Sequence, residues 1–144
     1  MRIMRLVQIS GFVIGVQAAL ACAVFAAEKT QWSPTEIADI KSISGKWEGI
    51  MIRTPKSKSD DWVNVSIQDN GDYEFASYRT IGVFSGKGTL TVKDGKATAQ
   101  GERGSVAVQL FTDKTKGQSM LKAEGKGKDG ISYRAELQKA KPRK

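Results

Sequence analysis

Hydrophobic and polar positions alternate at a two-residue period along this chain from Lys46 onward. A typical segment is 61–69, whose apolar residues Val63, Val65 and Ile67 fall on one side of an extended backbone. Such alternation is typical of a strand with one buried face and one solvated face. Segments of this kind recur at short intervals with turn residues between them, which indicates an all-β meander. The pattern therefore predicts an antiparallel sheet for most of the chain.

We predict about eight strands from this pattern. Their approximate bounds in chain order are 46–54, 61–69, 72–80, 83–92 and 96–102, followed by segments around 106–110, 121–125 and 131–137. The turn signals between them include Asn70-Gly71 and Asp94-Gly95, because these residue types tolerate a positive φ. About eight antiparallel strands joined by short turns close most economically into an up-and-down barrel, which removes exposed edges. A two-sheet β-sandwich is the alternative architecture.

A short helix is predicted before the sheet. The segment 33–36, Ser-Pro-Thr-Glu, is a typical helix start because its serine can cap the helix and its proline suits the first helical position. Ile37, Ile40 and Ile43 follow at helical spacing, and Gly45 supplies a left-handed stop. A helix of two or three turns is unstable alone, so we expect its apolar face to pack on the sheet.

The N-terminal segment 1–26 is typical of a secretory signal peptide. Arg2 and Arg5 give it a positive start, an apolar run follows, and 24–26 offers small residues for cleavage. We therefore expect the chain to be exported, in a bacterial periplasm. The alternative is a lipid-anchored protein in the cell envelope, since Cys22 ends a sequence similar to a bacterial lipobox and would become lipidated.

The predicted organisation is a single domain behind this leader. Residues 27–44 form an N-terminal segment with the short helix, 45–140 form the β-barrel domain, and 141–144 form a basic tail. A chain of 144 residues is large enough for one modest hydrophobic core.

The composition excludes several kinds of chemistry. The chain has no His, and its one Cys is Cys22 in the leader, so the folded part lacks the usual general base and any thiol nucleophile. Glu48, Glu74, Glu102 and Glu124 alternate with other charged or polar residues, which favours solvation over paired-acid catalysis. We therefore predict a protein that is not an enzyme and that uses no cofactor or metal.

The net charge of the full chain is +8. Removing 1–26, with its two arginines, leaves 21 basic against 15 acidic residues, a net charge of +6. Such an excess permits an anionic partner such as a cell-wall polymer, although it also serves solubility alone. The lysines are scattered over several turns, so we do not expect nucleic acid as a partner. Membrane association is expected only through lipidation of Cys22.

The triplet Gly45-Lys46-Trp47 resembles the opening of the first strand in lipocalins and the wider calycin family. The resemblance implies an eight-stranded barrel preceded by a short helix, with Trp47 at the closed end. It also implies a basic side chain near the end of the last strand, packed over that tryptophan. Lys139 is placed for this role and Arg134 less well. Lipocalin-like barrels often hold a small apolar molecule, so the resemblance implies a ligand of that kind.

Small residues on the predicted inner face indicate where a ligand could lie. Ala97, Ala99, Gly101, Ala123 and Gly125 point inward on the fifth and seventh predicted strands. Small inward residues either leave a cavity or are compensated by larger residues opposite, and both outcomes remain open. If a cavity forms, we expect it to be lined by Phe84, Leu90, Val106, Val108, Leu121 and Tyr133.

Trp62 stands out because it shares its strand face with Asn64, Ser66 and Gln68. An aromatic residue in a polar stripe can be packed against neighbouring structure, or it can offer a stacking surface for a sugar ring. We favour ordinary packing.

Two functions follow from these features. The first is an exported, non-enzymatic barrel that binds a small apolar or amphipathic molecule, such as a lipid or an isoprenoid. The alternative is an envelope interaction or scaffold module, which binds another protein or an anionic cell-wall polymer through its basic loops.

Overall fold

The computed structural model of the protein describes residues 30–55, 61–79 and 82–142. The predicted signal peptide, the lipidation site at Cys22 and the end of the predicted basic tail lie outside these ranges. Ten strands and one turn of 3-10 helix are present in the described part of the chain. The strands are β1 (Ser33–Thr35), β2 (Gly45–Thr54), β3 (Asp61–Ile67), β4 (Asp72–Arg79), β5 (Gly82–Thr89), β6 (Thr91–Lys93), β7 (Lys96–Gly101), β8 (Gly104–Asp113), β9 (Gln118–Gly127) and β10 (Ser132–Lys139).

One antiparallel sheet contains all ten strands. Its order is β5-β4-β3-β2-β10-β9-β8-β7-β6, with β1 paired to β8 beside this path. The sheet curls because β2 pairs with β10 while β5 approaches β7 from the opposite end of the order. The result is a nearly closed barrel, which is compatible with a calycin-like fold. The predicted all-β antiparallel barrel is therefore confirmed, and the two-sheet sandwich is not the architecture.

The predicted count of eight strands is wrong, and part of the difference lies at Leu90. The predicted strand 83–92 is divided there into β5, which pairs with β4, and β6, which pairs with β7. At the break, the Leu90 amide donates to the carbonyl of Gly71, in the turn between β3 and β4, at 2.8 Å. Because of the bend at Leu90, the chain stops pairing with β4 at the first residue of that strand and pairs with β7 instead. The other added strand is β1.

The predicted N-terminal helix is also wrong, because its first residues form β1. Ser33 pairs with Thr112 and Thr35 with Leu110, beyond the end of the β7–β8 ladder. The backbone groups of β8 that β7 does not reach are therefore satisfied by β1. A helix this short is only marginally stable, so pairing with an available sheet edge outweighs it.

The remaining helical structure is one 3-10 turn, Ile40–Ile43. Asp39 caps it by accepting the Ser42 amide at 2.9 Å. The apolar positions predicted for the helix are nevertheless buried: Ile37 and Ile43 belong to the core, and Ile40 packs against it. The segment thus covers one end of the barrel, the end where β2 begins, which we call the lower end. The opposite end, where β10 begins, is the upper end.

The predicted Asp94-Gly95 turn shows the expected stereochemistry, whereas at Asn70-Gly71 only the glycine has a positive φ, of 96°. Asp94 and Gly95 both have positive φ, 53° and 71°, as a tight Asp-Gly hairpin requires. In the β3–β4 turn, the Thr89 hydroxyl and the Asn70 amide donate to the Asp72 carboxylate. These two hydrogen bonds lower the pKa of the Asp72 carboxyl below its ordinary value of 3.8.

Candidate ligand-binding cavity

A cavity of about 130 Å³ lies inside the barrel. Its lining is mostly apolar and extends from Leu137 toward the lower end to Arg103 at the upper end. The lining includes all six residues that the sequence pattern selected for a ligand site: Phe84, Leu90, Val106, Val108, Leu121 and Tyr133. These six come from β5, β8, β9, β10 and the β5–β6 break, so only closure of the barrel brings them together.

Aromatic residues of β4 fill part of the lumen beside β5. Phe75 lies opposite Gly86, and Tyr73 lies opposite Gly88. A Cβ atom added at Gly86 would lie 2.6 Å from the Phe75 ring, and one at Gly88 would lie 2.9 Å from the Tyr73 ring. The two rings therefore occupy the space that side chains on β5 would otherwise take.

The small residues of β7 and β9 have two different outcomes. Gly101, Ala123 and Gly125 line the cavity, whereas Ala97 and Ala99 are buried in the core outside its lining. The two possibilities left open by the sequence are therefore both realised, in different parts of the barrel. Large residues fill the lumen on the β4–β5 side, and space remains beside the small residues of β9.

An aromatic stack crosses the lumen at the upper end. The rings of Phe84 and Tyr133 are nearly parallel, with an interplanar angle of 14° and centroids 5.7 Å apart. Three strands lie between β5 and β10 in either direction around the barrel: β4, β3 and β2 on one side, and β7, β8 and β9 on the other. The two residues therefore approach each other from opposite walls. Phe75 also contacts Phe84, at a centroid distance of 5.5 Å. The stack therefore narrows the upper opening.

Two polar groups flank this stack. The guanidinium carbon of Arg103 lies 4.6 Å from the centroid of the Phe84 ring, and Arg103 itself is exposed to solvent. The Tyr133 hydroxyl donates to the Asp129 carboxylate at 3.2 Å. A positive charge thus stands at the upper boundary of an apolar cavity, an arrangement suited to an amphipathic anion.

The lower end holds the two residues expected to close the barrel. Trp47 is buried, and its indole nitrogen donates to the Ile43 carbonyl at 2.8 Å. Lys139 lies opposite Trp47 in the β2–β10 register, and its ammonium is 4.6 Å from the Trp47 ring centroid. Arg134 is instead on the outer face, where it pairs with Glu124 at 3.3 Å.

The upper barrel contains a buried ion pair and a buried serine that the sequence pattern did not predict. The Nε of Arg53 lies 3.1 Å from a carboxylate oxygen of Asp61, whose side chain is only 1% exposed. Ser77 is also buried, and its hydroxyl has no hydrogen-bond partner in the described ranges. The sequence pattern could have predicted this burial. Arg53 lies six residues after Trp47 on β2, so the alternation of side chains along a strand places both of them on the inner face.

Tyr73 is a titratable cavity residue whose pKa is perturbed. It is partly buried against the core, and this burial raises the pKa of its phenol above the ordinary value of 10.0. The Tyr73 hydroxyl is therefore neutral at physiological pH and acts in the lumen as a hydrogen-bonding group without charge.

The carboxylates considered for catalysis do not converge on the cavity. None of Glu48, Glu74, Glu102 and Glu124 belongs to its lining. Over the described ranges, no group of three or more His, Cys, Asp and Glu residues is placed to hold a metal ion. No helix within those ranges is long and apolar enough to cross a membrane.

Trp62 lies on the outer face of β3, away from the cavity. It is exposed to solvent and belongs to neither the core nor the lining.

No known protein-family model matches the chain, and no curated protein matches it in sequence. The likeness to calycins therefore rests on the nearly closed antiparallel barrel, and membership of the lipocalins stays a prediction.

Proposed function

We propose that this protein is an exported, non-enzymatic barrel that binds a small apolar group, either as a whole molecule or as the apolar end of an amphipathic anion. The observation that carries the proposal is the apolar cavity of about 130 Å³ with Arg103 at its upper boundary. Apolar cavities that are too poor in polar groups to hold water favourably are the ones that take apolar ligands.

The volume supports a particular size of occupant. An apolar cavity of about 150 Å³ accepts a molecule of the size of benzene. The cavity therefore suits a ring, a branched isoprenoid end or a short acyl segment, with the rest of a larger ligand outside the barrel. Phe84 and Tyr133 would then contact the ligand where it leaves the lumen, and Arg103 would bind its anionic group.

The composition and the outer face support a binding role over catalysis. The chain contains no His, and Glu124 is engaged with Arg134 outside the barrel. A ligand in the lumen would meet aromatic, aliphatic and glycine residues, among them the phenols of Tyr73 and Tyr133; the other polar residues of the lining are Lys87, Arg103, Ser105 and Lys126. None of these forms a nucleophile and base pair.

A matched pair of probes separates the apolar contribution from the charged one. Anilinonaphthalene sulfonate carries an anionic group, and N-phenylnaphthylamine has a similar aromatic framework without it. Both increase their fluorescence on entering an apolar site. We expect both to bind the wild-type protein, purified after expression with its own N-terminal segment.

Two variants and one control test where the probes bind. Ala123→Leu adds three carbon atoms inside the cavity, whereas Ala107→Leu adds the same atoms on the exposed outer face of β8. We expect Ala123→Leu to weaken both probes at least about tenfold and Ala107→Leu to leave them unchanged. Arg103→Met is expected to weaken the sulfonate probe alone.

Unchanged binding of both probes to Ala123→Leu would contradict the proposal, because the cavity would then not be the site. Native mass spectrometry of protein from its own cell envelope gives an independent test. A co-purifying small molecule that is retained by Ala107→Leu and lost from Ala123→Leu would identify the natural ligand.

A further inference from the structure

Five large apolar side chains are exposed on the outer face of the barrel, and they form one continuous patch. They are 42% to 62% exposed, and they are Ile50, Ile52, Trp62, Tyr78 and Val83. Four of them are direct neighbours across the sheet: Ile50 pairs with Trp62, Trp62 with Tyr78, and Tyr78 with Val83. We call these four residues the apolar row. Ile52 lies beside Ile50 on the same face of β2.

The size of this patch suggests an interface. Given the exposed fractions and typical side-chain areas, the patch has on the order of 400–500 Å² of apolar surface. A stable protein–protein interface buries about 800 Å² on each partner, with an apolar centre and a polar rim. The patch has the area of such a centre, and it contains no charged residue.

The residues around the row suit a polar rim. The adjacent cross-strand row consists of Glu48, Asn64, Ala76 and Ser85, and Glu48 is its one charged residue. On the other side, Arg134 and Glu136 of β10 lie next to Ile52 and Ile50. Both are already paired with neighbours on β9, Arg134 with Glu124 and Glu136 with Lys122.

The order of side chains in the row is chemically symmetric. From β2 to β5 it reads aliphatic, aromatic, aromatic, aliphatic, which has the same character in either direction. A two-fold axis that runs parallel to the strands between β3 and β4 places Trp62 of each copy against Tyr78 of the other. It also places Ile50 against Val83. Such self-complementarity is what an isologous dimer requires, and sheet faces commonly pack with their strands nearly aligned.

From this geometry we propose that the apolar row is the centre of a homodimer interface between the outer faces of two barrels. An anionic membrane surface is the less suitable occupant. Glu48 lies two residues before Ile50 on the same face of β2. Its carboxylate would meet lipid headgroups of the same sign.

Sedimentation velocity on the protein, expressed with its own N-terminal segment, tests the interface. The wild type is expected to pass from monomer to dimer between low-micromolar and submillimolar concentration. Trp62→Glu and Tyr78→Lys are each expected to weaken the dimer at least about 30-fold, as loss of an aromatic interface anchor does. Thr98→Glu and Thr98→Lys place the same charges on the exposed face of β7 and should leave the dimer intact.

Mixing the two row variants tests the placement of the axis. In a one-to-one mixture, the introduced carboxylate of one chain faces the introduced ammonium of the other, while the second Trp62–Tyr78 contact is native. Dimers should therefore reappear in the mixture although neither variant dimerises alone. Recovery also shows that both variants are folded.

Each other outcome overturns the proposal. A wild type that stays monomeric, or a dimer that survives both row substitutions, would show that the apolar row is not a homodimer interface. A mixture that stays monomeric would overturn the pairing of Trp62 with Tyr78. A monomeric wild type that binds phosphatidylglycerol vesicles, and loses this binding in Trp62→Glu, would assign the row to a membrane instead.

Discussion

Lys139 lies over the indole ring of Trp47, with its ammonium 4.6 Å from the ring centroid, and the two residues are opposite each other in the β2–β10 register. The same ammonium donates to the Ser44 carbonyl, and the Trp47 indole donates to the Ile43 carbonyl. This contact therefore ties together the first long strand, the last strand and the segment that covers the lower end of the barrel.

Replacing Lys139 by Met should destabilise the fold while keeping the alkyl part of the side chain. The variant loses the cation–π contact and the hydrogen bond to Ser44, so we expect the free energy of unfolding to fall by about 1–2 kcal/mol. Urea denaturation followed by tryptophan fluorescence measures the change. Lys96→Met, on the exposed face of β7, is the control and should change stability by less than about 0.5 kcal/mol. Equal effects of the two substitutions would contradict the importance of this contact.

Gly49 is required by the close approach of β2 to β10. A Cβ atom at this position would overlap the carbonyl oxygen of Glu136. Because that oxygen belongs to the backbone of a paired strand, it cannot move away without disturbing the sheet. We expect Gly49→Ala to lower the free energy of unfolding by at least about 2 kcal/mol.

The control for this substitution is Gly117→Asn. A Cβ atom added at Gly117 would meet nothing within 4 Å beyond its chain neighbours, and asparagine tolerates the φ of +62° at this position. Thermal and urea denaturation should find this variant close to the wild type. A Gly49→Ala protein as stable as the control would show that β2 and β10 do not approach so closely.

The ion pair between Arg53 and Asp61 should matter more than the ion pairs of the outer face. Removing Arg53 leaves the buried Asp61 carboxylate with less compensation, so we expect Arg53→Met to cost about 3 kcal/mol of stability. Arg134→Met breaks the pair with Glu124, in which both side chains are about two-thirds or more exposed, and should cost less than about 1 kcal/mol.

A second substitution distinguishes a buried-charge penalty from lost packing. If the cost of Arg53→Met comes from the carboxylate left behind, adding Asp61→Leu should restore much of the lost stability. Further destabilisation by Asp61→Leu, measured in a double-mutant cycle, would show that the carboxylate contributes chiefly through its other contacts.

Tyr73 should make stability depend on pH in the alkaline range. Burial raises the pKa of its phenol in the folded state above 10.0, its value in an unfolded chain. Well below pH 10.0 the phenol is neutral in both states, and its contribution to stability is complete. As pH rises from there through the folded pKa, the unfolded state ionises first, so this contribution to stability is lost.

Urea midpoints measured from pH 8 to pH 11 test this dependence, taking about that range as the one that spans phenol ionisation. Tyr73→Phe should lose less stability with rising pH than the wild type does. Tyr78→Phe, which removes a phenol exposed on the outer face of the monomer, is the matched control when the protein concentration is kept below the range expected for the dimer. An unchanged alkaline slope in Tyr73→Phe would contradict the prediction.

Ile37 and Ser33 show that a local sequence pattern predicted burial correctly but backbone conformation incorrectly. The apolar spacing of Ile37, Ile40 and Ile43 correctly indicated side chains that pack on the sheet. The capping residues before them predicted a helix that does not form, because β8 offers unpaired backbone groups that take Ser33–Thr35 as a strand. Burial follows from the hydrophobicity of a residue itself, whereas the backbone conformation of a short segment follows from what it can pair with.

The sequence likewise predicted one aspect of the candidate cavity and not another. Alternation along each strand indicated that Phe84, Val106, Leu121 and Tyr133 point inward, since successive strand residues face opposite sides. Whether space remained among them depended on cross-strand partners, and the rings of β4 fill the lumen only where β5 carries glycine.

Alternation and turn chemistry were enough to predict the all-β antiparallel architecture, the inward faces and six of the residues that line the cavity. The break at Leu90, the stack of Phe84 on Tyr133, the ion pair inside the upper barrel and the alignment of Trp62 with Tyr78 depend instead on the folded barrel. A two-residue period is a property of each strand alone, so it can be read along the chain. Register and closure are relations between strands distant in the chain, and they arise only when the sheet pairs with itself.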